Sequence, residues 1–405
     1  MLRHVPIWAD RFPKSRRRSY PRLRGDHQSR VVIVGGGLTG AACAVSFAAA
    51  GLDTILLEAE VIGAGMVAGD AGLLREGFAG SFRSASAQHG LRTSRAIWDN
   101  LRRGSLDFAA ALRRYAIRCD LATSDLVTFL PRGADGGSLR REYQTRHDAN
   151  IEGTWLAPAA VSRETSLDSA GAIRTHGATI DPYRACVGLM AAASARGARI
   201  FEHSLVRRIR ARKRDVEVVT AGGIVRSEFV VVATGAPIQD LRGLRRHLRA
   251  EHAYGVVTEA LPAAMRRQVG NRGSVLERAD EPGRIVRWLP DQRVLIHGAR
   301  QAEVPSRQVD RALVQRTGQL MYEFSLLYPA ISGLQPQQSW AGLDYATADG
   351  LPFVGPHRNY PRHFFTFGSS RHGAGLAWTA ARMALRHVAG EPTRADQELG
   401  FGRVL

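Results

Sequence analysis

Three glycines and one acid carry the first chemical signal in this chain. Gly35, Gly37 and Gly40 stand in a Gly-x-Gly-x-x-Gly spacing, and Glu58 lies 18 residues past the last of them. In such a pattern the first glycine permits a tight turn and the second lets a pyrophosphate approach the main chain. The third lets a helix pack closely on a strand. Leu38 and Thr39, between the glycines, fall at a helix N-terminus, whose free amides and partial positive charge suit phosphates. Glu58 is placed to accept hydrogen bonds from an adenosine ribose, and a carboxylate there disfavours a 2′-phosphate. The chemistry implied is dinucleotide binding.

The spacing has force only between a strand and a helix. Val31-Val32-Ile33-Val34 is a β-branched run of the kind that forms a buried parallel strand. An alanine-rich helix to Ala50 follows, stopped by Gly51, and Thr54-Ile55-Leu56-Leu57 delivers a second buried strand into Glu58. From Ser86 to Leu130 the periodicity is helical, and Asp181-Pro182 opens another helix ending near Gly197. Strands alternate with turns from Arg199 to Phe229 as a small meander. Val230-Val231-Val232-Ala233-Thr234-Gly235 then supplies another buried strand ending in a glycine. Residues 250 to 300 read as a separate β region, and a last helix spans about 374 to 388.

With these elements in view the chain resembles, over almost its whole length, the D-amino-acid oxidase, glycine oxidase and sarcosine oxidase superfamily. Four segments carry the resemblance: residues 31 to 58; Gly63-Ala64-Gly65-Met66 through Gly72-Leu73-Leu74; His176 to Pro182 with Gly197-Ala198 and Val206; and Trp340 to Gly355 continued by Gly368-Ser369-Ser370-Arg371-His372-Gly373. The arm containing Trp8 and Arg24-Gly25-Asp26 is similar to the γ-glutamylputrescine oxidoreductase branch. Three departures stand out. Met66-Val67-Ala68-Gly69-Asp70 replaces the usual serine-arginine-asparagine pattern, and Arg371 stands where many members have a small or amide residue. Gly342, seven residues before Asp349, stands where members with covalent flavin use a cysteine.

The resemblance implies an α/β (α+β overall) fold: a glutathione-reductase-type FAD-binding Rossmann domain with a second, antiparallel-sheet substrate domain. It implies non-covalent FAD contacted by Ala59, Gly65, Met66, Ala71, Gly72, Leu73, Val206, Thr234, Gly235, Gly350, Gly373, Ala374 and Gly375, besides the residues of the first motif. The activity implied is oxidation of a small amine or amino acid by hydride transfer to flavin N5, giving an imine that hydrolyses. Arg371 and His372 are candidates to stabilise the reduced flavin. Strand alternation places Arg287 opposite Val286 and Trp288, where it is a candidate carboxylate clamp or a solvent-facing residue. His252 and Tyr254 fall where the family enters its substrate sheet. For His252 a structural role is the simpler expectation.

The boundaries expected are a basic N-terminal arm at 1–29; a cofactor domain from 30–85, 165–248 and 335–405; and a substrate domain from 86–164 and 249–334. The 405 residues, 44% hydrophobic, suffice for two or three domains. The net charge of +19 rests almost wholly on arginine, Lys14 and Lys213 being the only lysines, as a GC-rich genome would produce. Nucleic acid is not an expected partner, and no stretch is apolar enough to span a membrane. Three scattered cysteines argue against disulfides or zinc, and a cytoplasmic location fits, with peripheral membrane contact through the basic arm left open. Sarcosine-oxidase-like members use a lysine near the flavin to activate oxygen, and since neither lysine falls near the flavin motifs, the resemblance implies a dehydrogenase using a quinone or electron carrier in preference to an oxidase. The rival readings are a tRNA-modifying flavoprotein and a flavin-binding protein without turnover.

Overall fold

The computed structural model describes residues 2–404 apart from Gly270, Ser332 and Ser369, so Ser369 of the last motif lies outside the described residues. The predicted βαβ unit forms as His27–Val34, Leu38–Ala49 and Thr54–Leu57, the two strands parallel with Val32 beside Ile55 and Val34 beside Leu57. Every residue from Val31 to Val34 and from Thr54 to Leu57 is buried, which explains their unbroken apolar sequence. Ile224–Gly235 is one continuous strand, spanning both segments expected there. It runs parallel to His27–Val34 on one side and to Tyr360–Phe367 on the other. These strands belong to an eight-stranded sheet that also takes in Arg199–Phe201 and the hairpin Val206–Ala211, Val216–Thr220.

A nine-stranded, largely antiparallel sheet forms the second layer. At its centre Leu248–Thr258 lies between Val294–Ala302 and Pro336–Thr347, antiparallel to both. Helix Val309–Leu327 covers one face, where Val256, Val286, Ile296, Leu320 and Phe324 share a core. Trp8, Val257, Leu295 and Trp340 cluster on the other.

Two expectations about organisation are corrected. The helical reading from Ser86 to Leu130 holds only to Arg114. Gly90, at φ +82°, divides it into Phe82–His89 and Leu91–Arg114, and Leu126–Pro131 is a strand. The two helices, assigned mostly to the substrate side, instead bury Ile97, Trp98, Leu101 and Phe108 in the core shared with the cofactor-side helices. Conversely Ser169–Thr175 and Pro336–Thr347, assigned to the cofactor side, are strands of the nine-stranded sheet. Amphipathic periodicity identified these elements but not which core would take their apolar faces.

The basic arm is anchored through its apolar residues. Arg3–His4 pairs with Pro336–Thr347 at the edge of the nine-stranded sheet, Ile7, Trp8 and Leu23 are fully buried, and Gly25 donates to the Gly222 carbonyl at 2.9 Å. No helix among the described residues is long and apolar enough to cross a membrane.

Trp8 Nε1 donates to the Asp70 carbonyl at 2.7 Å, and the ring faces the Arg287 guanidinium at 5.1 Å. Trp8→Ala is therefore expected to destabilise the protein by about 3–5 kcal/mol, and Trp8→Phe by about 1 kcal/mol for the lost hydrogen bond. Urea unfolding of the two variants checks the ordering, and equal losses would contradict it.

Candidate active site

A cleft of roughly 330 Å³ opens at the carboxyl ends of the parallel strands and runs beneath the nine-stranded sheet. At one end are Gly35, Gly37, Leu38, Thr39, Glu58 and Ala59, with Val206, Thr234 and Gly235 along the wall. At the other end are Gly65, Met66, Asp70, Leu343, Asp344, Tyr345, Gly373 and Ala374.

Each part of the glycine motif has a steric reason. Gly35 is at φ +110°, and a Cβ on Gly40 would lie 1.9 Å from the Gly35 carbonyl oxygen. A Cβ on Gly37 would meet nothing closer than Val67 at 3.7 Å, so its main chain stays open to the cleft. No side chain caps the helix that begins at Leu38, which leaves its first amides for a ligand. Glu58 is held by two main-chain donors, Gly36 N at 2.6 Å and Glu60 N at 2.9 Å. A carboxylate accepts about four hydrogen bonds, so capacity for a ribose remains. This donor and acceptor set fits an adenine dinucleotide.

Several predicted cofactor residues support the cleft without lining it. Gly40 packs against Gly35, and Gly375 begins helix Gly375–Ala389 where a Cβ would strike Ser105. Gly350, in a turn at φ +73°, does not line the cleft. Gly72 lies under Arg287, where a Cβ would come within 2.5 Å of a guanidinium nitrogen. Ala71 and Leu73 border a small second cavity with Asp70, His297, Arg300 and Arg371.

None of the five candidate catalytic residues lines the main cleft. Arg287, only 4% exposed, donates to the carbonyls of Ala71 and Ile180, each at 2.8 Å, and more weakly to Gly72. It faces away from Val286 as alternation required. Its Nη1 donates to main chain and so fastens a loop. Burial lowers it to about 10, which leaves it charged at neutral pH.

His252 and Tyr254 lie on the wrong face of their strand to meet the cleft. His252 Nδ1 accepts from Val304 N, and the Tyr254 hydroxyl accepts from Gln301 within the helix-covered core. Alternation turns Glu251 toward Arg371 instead. Arg371 donates to Glu251, which also accepts from Arg300 at 3.1 Å, and Arg300 donates to Asp344. His372 is buried, its Nδ1 accepts from Ala79 N at 3.2 Å, and burial with Arg75 and Arg371 nearby pushes it down to about 3. It is a neutral structural acceptor with no positive charge to offer.

Sequence reasoning missed Glu251, Arg300 and Asp344 as a group. They come from three neighbouring strands, and no spacing relates them. Asp70 did leave a signal, as part of the loop that departs from the family pattern.

The histidines generate a pH prediction. Burial holds His372 near 3 and His297 near 4, both below the ordinary 6.5. Their contribution is complete above about pH 6.5 and is lost as pH falls toward the folded values, because the unfolded chain binds the protons. Each contributes a slope of up to about 1.4 kcal/mol per pH unit. His372→Gln, which retains an acceptor for Ala79 N, should flatten the dependence of the urea midpoint between pH 6.5 and 4. An unchanged slope would remove His372 as a source.

The FAD-dependent oxidoreductase (DAO) family matches residues 30–386. Among curated proteins, the chain is 25% identical over 375 residues to γ-glutamylputrescine oxidoreductase of Escherichia coli, covering 90% of this chain and 85% of that one. It is 28% identical over 365 residues to glycine oxidase of Geobacillus kaustophilus, covering 86% and 89%. Among solved structures, glycine oxidase from Geobacillus kaustophilus superposes with a TM-score of 0.73 at 21% identity, over 92% of this chain and 97% of that one. L-proline dehydrogenase from P. horikoshii gives 0.74 at 17%, over 91% and 96%. With the glycine motif, the uncapped helix and the cleft in register, this chain belongs to the DAO family and is an FAD-dependent oxidoreductase.

Proposed function

We propose that the chain oxidises a C–N bond of a small amine or amino acid, with FAD held non-covalently in the cleft. The observation that carries this reading is the cleft's continuity: it joins a phosphate-suited helix N-terminus to a charged end beneath the antiparallel sheet. The curated relatives are named for γ-glutamylputrescine and glycine, both of which bear amines.

In this reading the main chain from Gly35 to Thr39 holds the pyrophosphate and Glu58 the ribose. Val206, Thr234 and Gly235 flank the nucleotide, while Gly65, Met66, Gly373 and Ala374 border the flavin. Gly342 supports a non-covalent cofactor, since a Cβ there would already lie 2.5 Å from Met66 Sδ. When bound, FAD would supply the hydride acceptor for oxidation of the substrate carbon, to an imine that water would hydrolyse.

The protein's contribution is placement and charge. Arg371 is engaged by Glu251, so the positive influence beside the flavin comes from the 15-residue helix Gly375–Ala389, which no side chain caps and whose first turn borders the cleft. Neither Lys14 nor Lys213 lines the cleft, which supports the dehydrogenase reading and an acceptor such as a quinone or carrier protein.

An anaerobic screen of D- and L-amino acids, N-methylated amino acids and polyamine conjugates should bleach the flavin band with one class. Full FAD occupancy without bleaching by any amine would contradict the proposal. Reduced enzyme should reoxidise slowly in air, and stopped-flow reoxidation at oxidase rates would overturn the dehydrogenase assignment. Gly40→Val should yield colourless protein, and normal FAD content in that variant would remove the glycine loop from the cofactor site.

A further inference from the structure

Asp70 borders both the cofactor cleft and the small cavity beside it. Its position is fixed: Oδ1 accepts from Gly72 N at 2.6 Å, and its own carbonyl accepts from the Trp8 indole. Nearby acids are neutralised by guanidinium groups. Glu251 is paired with Arg300 and Arg371, Asp344 with Arg300, and Glu277 with Arg75. Asp70 has no ion-pair partner among the described residues, and Arg287 spends the donors it directs at this loop on carbonyls.

A second observation marks the place as built for a polar ligand. His297 Nδ1, buried at the wall of the small cavity, finds no partner among the described residues, whereas the Arg300 Nε beside it can only donate and offers nothing to a cation. Buried polar atoms are rarely left so.

We propose that Asp70 receives the substrate's ammonium group and takes its proton before the C–N bond is oxidised, so that substrates enter this end of the cleft as amine cations. The assignment rests on the amine-oxidation reading. In the step an N–H bond of the ammonium breaks and an O–H bond forms on Asp70, leaving a neutral amine and a carboxylic acid. The electron pair stays on nitrogen, where it can assist departure of the hydride from the adjacent carbon to FAD.

The charged groups facing Asp70 are Arg287 and Arg300, which favour its ionised form, and Asp344, which opposes it. Arg75, Arg371 and His297 complete the cavity wall. Desolvation outweighs the Gly72 amide and the arginines, and raises Asp70 to about 6. A carboxylate so placed is matched to accepting a proton near neutrality.

The test uses holoenzyme carrying Asp70→Asn, whose side-chain oxygen can still accept from Gly72 N. The first probe is guanidinium at millimolar concentration, a cation with N–H donors and no C–H bond to surrender. It should perturb the flavin spectrum of the wild type and bind at least tenfold more weakly to D70N, with FAD content unchanged. The second is anaerobic flavin reduction by the amine found in the screen. The wild-type rate should fall on the acid side with a midpoint near 6, and D70N should lose that limb. Wild-type bleaching together with unaltered guanidinium binding and pH profile in D70N would overturn the assignment alone. Loss of FAD or of thermal stability in D70N with the acid limb preserved would reduce Asp70 to a structural role and overturn it too. Failure of every amine to bleach the wild type would overturn the amine reading and this assignment with it.

Discussion

The position of the loop between the two sheets depends on one buried cation. Arg287 projects from the nine-stranded sheet and donates to the carbonyls of Ala71 and Ile180, while the Trp8 ring lies against it. Removing a guanidinium from water is costly unless its donors are satisfied. Here main-chain carbonyls take Nη1, an aromatic face lies against the group and the nearby charges of Asp181 and Asp70 favour the cation, while Nε stays without a partner among the described residues. Three segments distant in sequence are thereby fastened together: the N-terminal arm, the loop after the first βαβ unit, and the segment leading into helix Pro182–Ser194.

From that anchor the rest of the cleft follows. Gly72 must lack a side chain because Arg287 and the Ile180 carbonyl occupy its space. Trp340 lies between Gly69 and Gly255, with its indole donating to the Gly69 carbonyl at 3.2 Å, which presses the loop onto the sheet. Gly373 closes the other side, where Ala374 N donates to the Leu73 carbonyl at 2.8 Å. Glycine thus recurs where backbone or a large flat side chain meets backbone, and the loop takes its rigidity from tertiary contacts.

How legible this was in the sequence depended on the range of the interaction. The βαβ unit could be read because strand, turn, helix and acid are contiguous, and their residue types each answer a local requirement. Asp181 and Pro182 likewise announced a helix, and Asp181 does accept from Arg184 N as its cap. Alternation correctly turned Arg287 away from Val286 and Trp288, but it says nothing about which groups wait on the other side. His252 and Tyr254 were picked out by their place at the family's entry to its substrate sheet, which does not say which face of Leu248–Thr258 is which, and Glu251 is the residue turned to Arg371. The helical periodicity from Ser86 to Arg114 was legible, yet neither its break at Gly90 nor its allegiance to a core was, because an amphipathic stripe does not name its partner.

The arginine-rich composition has a structural consequence at the site. A pair such as Arg75 and Glu277, at 2.7 Å with both side chains 4% exposed, persists only because each charge answers the other. Glu251, Arg300, Arg371 and Asp344 extend the same logic into a chain of alternating sign across three strands and the last glycine turn. Guanidinium groups already bound to carboxylates make poor receptors for a further anion, since a ligand would have to displace an internal partner. The acid left outside the pairing is Asp70, which borders the cleft at the end of Met66 to Asp70, the segment in which the resemblance implied a different pattern.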